Sequence, residues 1–162
     1  MSEDVLSVIP TDPHWQPGRE AGERAAALVT RLSAHHGAAA DDLDADEDPR
    51  IDVDWYPIPT AVDCGGNLHR IGCPHCGAPI DREWYADLVE HHPHGFPTLA
   101  VTVPCCAAGT SLDALDYDWP CGFARFEIAV WNPGRLIRFG DDELSAVAET
   151  LGHPVRQIRA HI

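Results

Sequence analysis

Gly72-Cys73-Pro74-His75-Cys76-Gly77-Ala78-Pro79 is the stretch around which the rest of the chain can be read. Two thiols separated by two residues grip a single ion only if the backbone turns sharply between them. Pro74 stiffens such a turn, and Gly77 tolerates a positive φ that lets neighbouring amide N–H groups point at the sulfurs. The competing use of Cys-x-x-Cys is a redox dithiol, which places its first cysteine at the start of a helix running on past the second. Gly77-Ala78-Pro79 is poor helix sequence, so the spacing favours metal ligation. A closed site needs a second pair of ligands, and Cys105 and Cys106 supply it, directly after a predicted strand over Leu99–Val103. They are adjacent instead of two apart, and Gly109 stands where a Cys-x-x-Cys beginning at Cys106 would put its second thiol. If one of these sulfurs turns away from the metal, Cys64, Cys121 or His69 is the replacement.

The segment Cys73–Gly77 resembles the knuckle of zinc-ribbon and rubredoxin-like proteins. That resemblance covers one knuckle and a second half-site. It implies a local fold and a structural zinc ion held by Cys73, Cys76, Cys105 and Cys106, without implying a family function. Soft thiolates in a four-coordinate set suit zinc, with iron in a rubredoxin-like cage as the minority reading. The letters Cys-Pro-His-Cys also match the active-site motif of thioredoxin-fold disulfide oxidases, against which the broken helix and the two further cysteines both argue. Zinc-dependent deaminases pair Pro-Cys-x-x-Cys with an upstream His-x-Glu; here Gly72 precedes Cys73 and no His-x-Glu lies upstream.

Outward from the cysteines the composition is lopsided. Eleven basic residues, every one of them Arg, face 26 acidic ones, for a net charge of −15. The missing lysine fits GC-rich coding. The charge makes a phosphate-tracking surface, and so nucleic-acid binding, a poor expectation, and it favours attraction to a basic protein partner. At 162 residues the chain is long enough for one domain with its own core. No apolar run approaches the roughly 18 residues of a membrane span. Met1–Ile9 carries Glu3 and Asp4 where a secretory signal would carry Lys or Arg. These features lead to the expectation of a cytoplasmic protein with no membrane association.

Along the chain, residues 1–17 read as an extended lead-in, and Ala21, Ala25, Leu28, Val29 and Leu32 recur at helical spacing up to Gly37. An acidic linker follows at 38–50, so the organisation expected is a lead-in and helix over 1–37, the linker, and a zinc-binding α+β domain over 51–162. Within that domain Ile51, Val53 and Trp55 alternate as a strand. Leu68–Ile71 reads as a short strand, and Asp81 caps a helix from Arg82 to about His91. Phe123–Trp131 is the clearest strand, with Ala124, Phe126, Ile128 and Val130 on one face. Asn132-Pro133-Gly134 turns the chain so that Leu136–Phe139 returns as a hairpin arm. A helix opened by Asp141 or Asp142 closes at Gly152, and Val155–Ile162 alternates as a last strand expected in the sheet of Phe123–Trp131. The fold class expected is α+β with a mostly antiparallel sheet and flanking helices; no internal repeat is evident.

No catalytic constellation assembles from these residues. The histidines of Glu90-His91-His92-Pro93-His94 read as a helix end, where imidazoles suit the carbonyl dipole. Trp119 and Phe123 read as a roof over the zinc site and the small core. Small size, acidity and one structural metal point to a non-enzymatic protein–protein interaction module, in its specific form an immunity- or antitoxin-type inhibitor of a basic partner. The alternatives are a zinc-ribbon adaptor for nucleic acid or transcription machinery, to which Arg135, Arg138, Arg156 and Arg159 would lend a basic face, and an enzyme with an unrecognised site.

Overall fold

A computed structural model describes residues 3–36 and 50–162. The elements in chain order are β1 (Asp4–Pro10), α1 (Arg19–His35), β2 (Ile51–Val62), β3 (Ile71–Gly72), β4 (Pro79–Ile80), α2 (Arg82–His91), β5 (Ala100–Thr102), β6 (Gly109–Ser111), β7 (Asp116–Tyr117), β8 (Gly122–Trp131), α3 (Asp141–Leu151) and β9 (Val155–His161). The acidic linker expected at 38–50 lies outside the described residues, Arg50 apart.

The main sheet is four-stranded and antiparallel throughout, in the order β2-β8-β1-β9. The fold is therefore α+β. The clearest strand of the sequence, β8, lies inside the sheet, and Phe126, Ile128 and Val130 are fully buried beneath α1 and α3. Leu6, Val8, Val29, Leu136, Phe139 and Val147 complete that core. Helix α1 approaches the sheet closely because Gly22 faces it: a Cβ there would stand 2.4 Å from Trp55 Cζ2. Arg19 lies over the same indole, 4.2 Å from the ring centre.

Two expectations are corrected here. Residues 4–10 are not a lead-in: β1 pairs with β8 on one side and β9 on the other, and α1 packs in the same core. The stretch 4–35 thus belongs with 51–162 and is not a segment apart from it. Leu136–Phe139 does not return as a hairpin arm, since β2 and β1 already occupy both edges of β8. That segment instead drops Leu136 and Phe139 into the core, its backbone held by Arg159 on the carbonyls of Leu136 and Ile137 (both 3.0 Å) and by Gln157 on Phe139. The last strand lies in the same sheet as β8, as expected, and joins it through β1.

Between β2 and β8 the chain leaves the sheet and builds a separate small structure. Strands β3, β4 and β7 form one three-stranded sheet, β5 and β6 a hairpin. Helix α2 carries the expected Asp81 cap, whose side chain accepts from the Glu83 N–H. Ile71, Ile80, Phe96, Leu99, Val103 and Leu112 pack into a second core, which Phe123 of β8 joins to the main sheet. The exit from the sheet is prepared by Pro57 and Pro59: the β2–β8 register shifts between Trp55 and Thr60, where prolines without N–H groups sit tolerably on an edge strand.

Candidate metal centre

The two short hairpins carry the cysteines. In the first, between β3 and β4, the Cys73 N–H donates to the Ala78 carbonyl (2.9 Å) and the Gly77 N–H to the Cys73 carbonyl (3.0 Å). In the second, between β5 and β6, the Val103 N–H donates to the Ala108 carbonyl and the Ala107 N–H to the Val103 carbonyl (both 3.0 Å). The turns share one conformation, with Gly77 at φ 73° and Ala107 at φ 59° in the equivalent place. Cys73-Pro74-His75-Cys76-Gly77-Ala78 and Val103-Pro104-Cys105-Cys106-Ala107-Ala108 are thus two copies of one knuckle, and the expectation of no internal repeat is corrected.

This repeat explains the adjacent cysteines. Cys106 occupies the place of Cys76, whereas the place of Cys73 is taken by Val103, fully buried in the apolar core. The missing thiol is made good by Cys105, one residue before Cys106, where the first knuckle has His75. His75 itself points aside, its Nε2 3.2 Å from the Gly109 carbonyl.

The ligating atoms of Cys73, Cys76, Cys105 and Cys106 all lie within 4.8 Å of one another. Cys73 and Cys106 are 3.8 Å apart, Cys76 and Cys105 3.6 Å. Four sulfurs at tetrahedral corners about 2.3 Å from one ion stand about 3.8 Å from each other, so the set fits a four-coordinate metal. These separations are also well beyond the roughly 2.05 Å of a disulfide.

The local backbone favours the thiolate where the spacing needs it. The N–H groups of Cys76 and His75 point at the Cys73 sulfur (3.5 and 3.4 Å) and, Cys76 first, draw its thiol down to about 6. Withdrawal from water, then S–H bonding to Cys73 and Cys76, pushes Cys105 up to about 12. Sulfurs so close cannot all ionise by themselves; a divalent cation removes that restriction.

Among the described residues no other group of three or more His, Cys, Asp or Glu side chains meets at ligand distance. Cys64 and Cys121 lie elsewhere, facing each other in a third apolar cluster with Ile9, Val62, Ala124 and Ile158. His69 is exposed, with its backbone N–H on Asp118. None of the three replaces Cys105 or Cys106. Trp119 does not roof the cluster: it packs on the group of Cys64 and Cys121, its indole N–H donating to the Arg159 carbonyl of β9. The histidines at the end of α2 behave as helix-end groups, with Nδ1 of His91 on the Asp87 carbonyl (2.6 Å) and Nδ1 of His92, the C-cap, on that of Leu88 (2.7 Å).

The fold and site together define an α+β protein that carries, between neighbouring strands, a two-knuckle insertion with four cysteines positioned to bind a metal ion. Compared with known protein families, curated proteins and solved structures, the chain matches none. No helix among the described residues is long and apolar enough to cross a membrane.

Proposed function

We propose that the chain is a zinc-stabilised interaction module whose acidic sheet face receives a basic protein, in the manner of an immunity- or antitoxin-type inhibitor. Zinc is the metal assigned because four thiolates at tetrahedral spacing form a closed, soft site with no position left for substrate. The zinc therefore serves architecture and no catalytic step runs through it.

The observation that carries the partner reading is the sheet face opposite α1 and α3. It holds a cleft of about 280 Å3 lined by Asp52, Asp54, Asp63 and Glu127, with Tyr56 and Trp131 beside them. Glu127 is fixed there by two donors, Ser7 Oγ at 2.6 Å and Tyr56 Oη at 2.8 Å, while Asp54 and Asp63 are exposed. Carboxylates backed by aromatic rings suit guanidinium and ammonium groups presented by another protein. Of the four arginines that could offer a rival basic face, two are engaged within the fold, Arg156 on the Cys121 carbonyl (2.6 Å) and Arg159 on the loop carbonyls, whereas Arg135 and Arg138 are exposed.

The test is co-purification from the native host followed by titration of the recovered partner. The reading expects a basic protein that binds more weakly as salt rises and at least tenfold more weakly to Asp52→Asn/Asp54→Asn. Recovery of no stable partner, or binding indifferent to both salt and these substitutions, would overturn it.

A further inference from the structure

We propose that Cys64 and Cys121 form a second sulfur site, a redox dithiol that closes to a disulfide across the neck of the metal-binding insertion. The insertion leaves the main sheet after Val62 and rejoins it at Gly122, two residues that lie opposite each other in the β2–β8 pairing. Cys64 and Cys121 stand just outside that last pair, 57 positions apart in sequence. Their sulfurs are 2.9 Å apart, with the Cys121 S–H directed at Cys64, and both are free thiols.

Their backbones are held in place from both sides. The Gly65 N–H donates to Asp63 Oδ1 (2.7 Å), and Gly65, at φ +62°, rests where a Cβ would stand 2.3 Å from the His161 carbonyl oxygen. The Cys121 carbonyl is gripped by Arg156. The sulfurs sit in an apolar cluster, and among the described residues no third ligand reaches them. Two facing thiols without further ligands do not make a metal site; their available chemistry is with each other. Bonding to the Cys121 S–H, the largest influence, lowers the Cys64 thiol, whereas Cys121 is raised by that same bond and by burial. Cys64 is accordingly the nucleophile and Cys121 the resolving thiol.

With hydrogen peroxide as oxidant the steps balance. The Cys64 thiolate attacks one peroxide oxygen, the S–O bond forms, the O–O bond breaks, and the departing hydroxide takes up a proton as water. The Cys121 sulfur then attacks the sulfenic sulfur; the S–S bond forms, the S–O bond breaks, and the hydroxyl leaves with the Cys121 proton as a second water. Two electrons pass from the pair to the peroxide. Residual exposures of 9% for Cys64 and 4% for Cys121 fit a small oxidant. The product would tie the insertion shut at its base without touching the four-cysteine cluster.

The experiment treats the full, zinc-loaded chain with one equivalent of hydrogen peroxide. The protein is then denatured in N-ethylmaleimide and its cross-linked peptides are mapped by mass spectrometry, with metal content followed in parallel. The expected result is a Cys64–Cys121 peptide accounting for most of the lost thiol, with metal retained, and full reversal by dithiothreitol. In Cys121→Ala that cross-link disappears and Cys64 is trapped as the sulfenic acid by dimedone. Oxidation falling first on the cluster cysteines, or Cys64 and Cys121 both fully alkylated after treatment, would overturn the proposal. The mapping on the unmodified chain stands whether or not the variant folds. It also reads Cys64 and Cys121 independently of which metal the cluster holds.

Discussion

Replacing Cys73 with Ser tests how much of the insertion's stability the metal supplies. Cys73 is the one buried ligand, 3% exposed, and it receives two N–H···S bonds that serine cannot reproduce at the same length. A metal joining Cys73 to Cys106 closes a loop spanning 33 positions. By the chain-entropy argument used for cross-links, such a loop is worth about 4 kcal/mol. For a chain of this size each kcal/mol moves the melting temperature by about 2–4 °C, so Cys73→Ser should melt about 8–16 °C below the zinc-loaded wild type. The assay is thermal unfolding by circular dichroism, each protein measured with and without a strong chelator. The wild type should fall to the variant's melting temperature when chelated, and the variant should not respond. A variant within about 2 °C of wild type, or one lowered as far by chelator as wild type is, would refute the reasoning. The second core, closed by Phe96, Leu99 and Leu112, would then hold the insertion together without help.

Ala107 sits at φ 59° where the other knuckle has Gly77, so Ala107→Gly should relieve left-handed strain. After the extra freedom glycine gives the unfolded chain, the net gain is about 0.5–1 kcal/mol, readable as a modest rise in melting temperature; a fall would show that the two turns are not equivalent. Burial, aided by nearby Asp54 and Asp63, raises the Glu127 carboxyl above the ordinary glutamate value, against the opposing pull of the Ser7 and Tyr56 hydrogen bonds. A raised acid contributes its stability fully below the unfolded value of about 4.3 and loses it as pH rises through the folded value. Glu127→Gln removes that loss, so the melting-temperature difference between variant and wild type should move in the variant's favour as pH climbs from 4 toward neutrality. Parallel curves would contradict the burial argument.

The elements with strong periodicity were legible in the sequence, because one physical cause dominated each. Alternation in Phe123–Trp131 yielded β8, the Asp81 cap yielded α2, and Gly152, found at φ 88°, closed α3. What was not legible depended on long-range pairing. Val5–Ile9 is a run of apolar residues with one serine, suited to a strand covered on both faces, but its centrality follows only from β8 and β9 flanking it. The alternation of Leu136–Phe139 misled because strand pattern cannot reveal that both edges of β8 are taken. At the site, Cys73 and Cys76 followed from spacing alone. The second knuckle carried a signal that spacing rules miss: x-Pro-x-Cys-small-Ala recurs at 73–78 and 103–108, and aligning the two explains why Cys105 and Cys106 complete the cluster. The Cys64–Cys121 contact had no local signal, since it arises where the ends of a long insertion meet.

X-ray absorption at the zinc K-edge, on protein purified without added metal, tests the central claim most directly. One zinc per chain with four sulfur neighbours at about 2.3 Å and no light-atom ligand is the expected result. A shell containing nitrogen or oxygen, or a chain carrying no zinc at all, would contradict it.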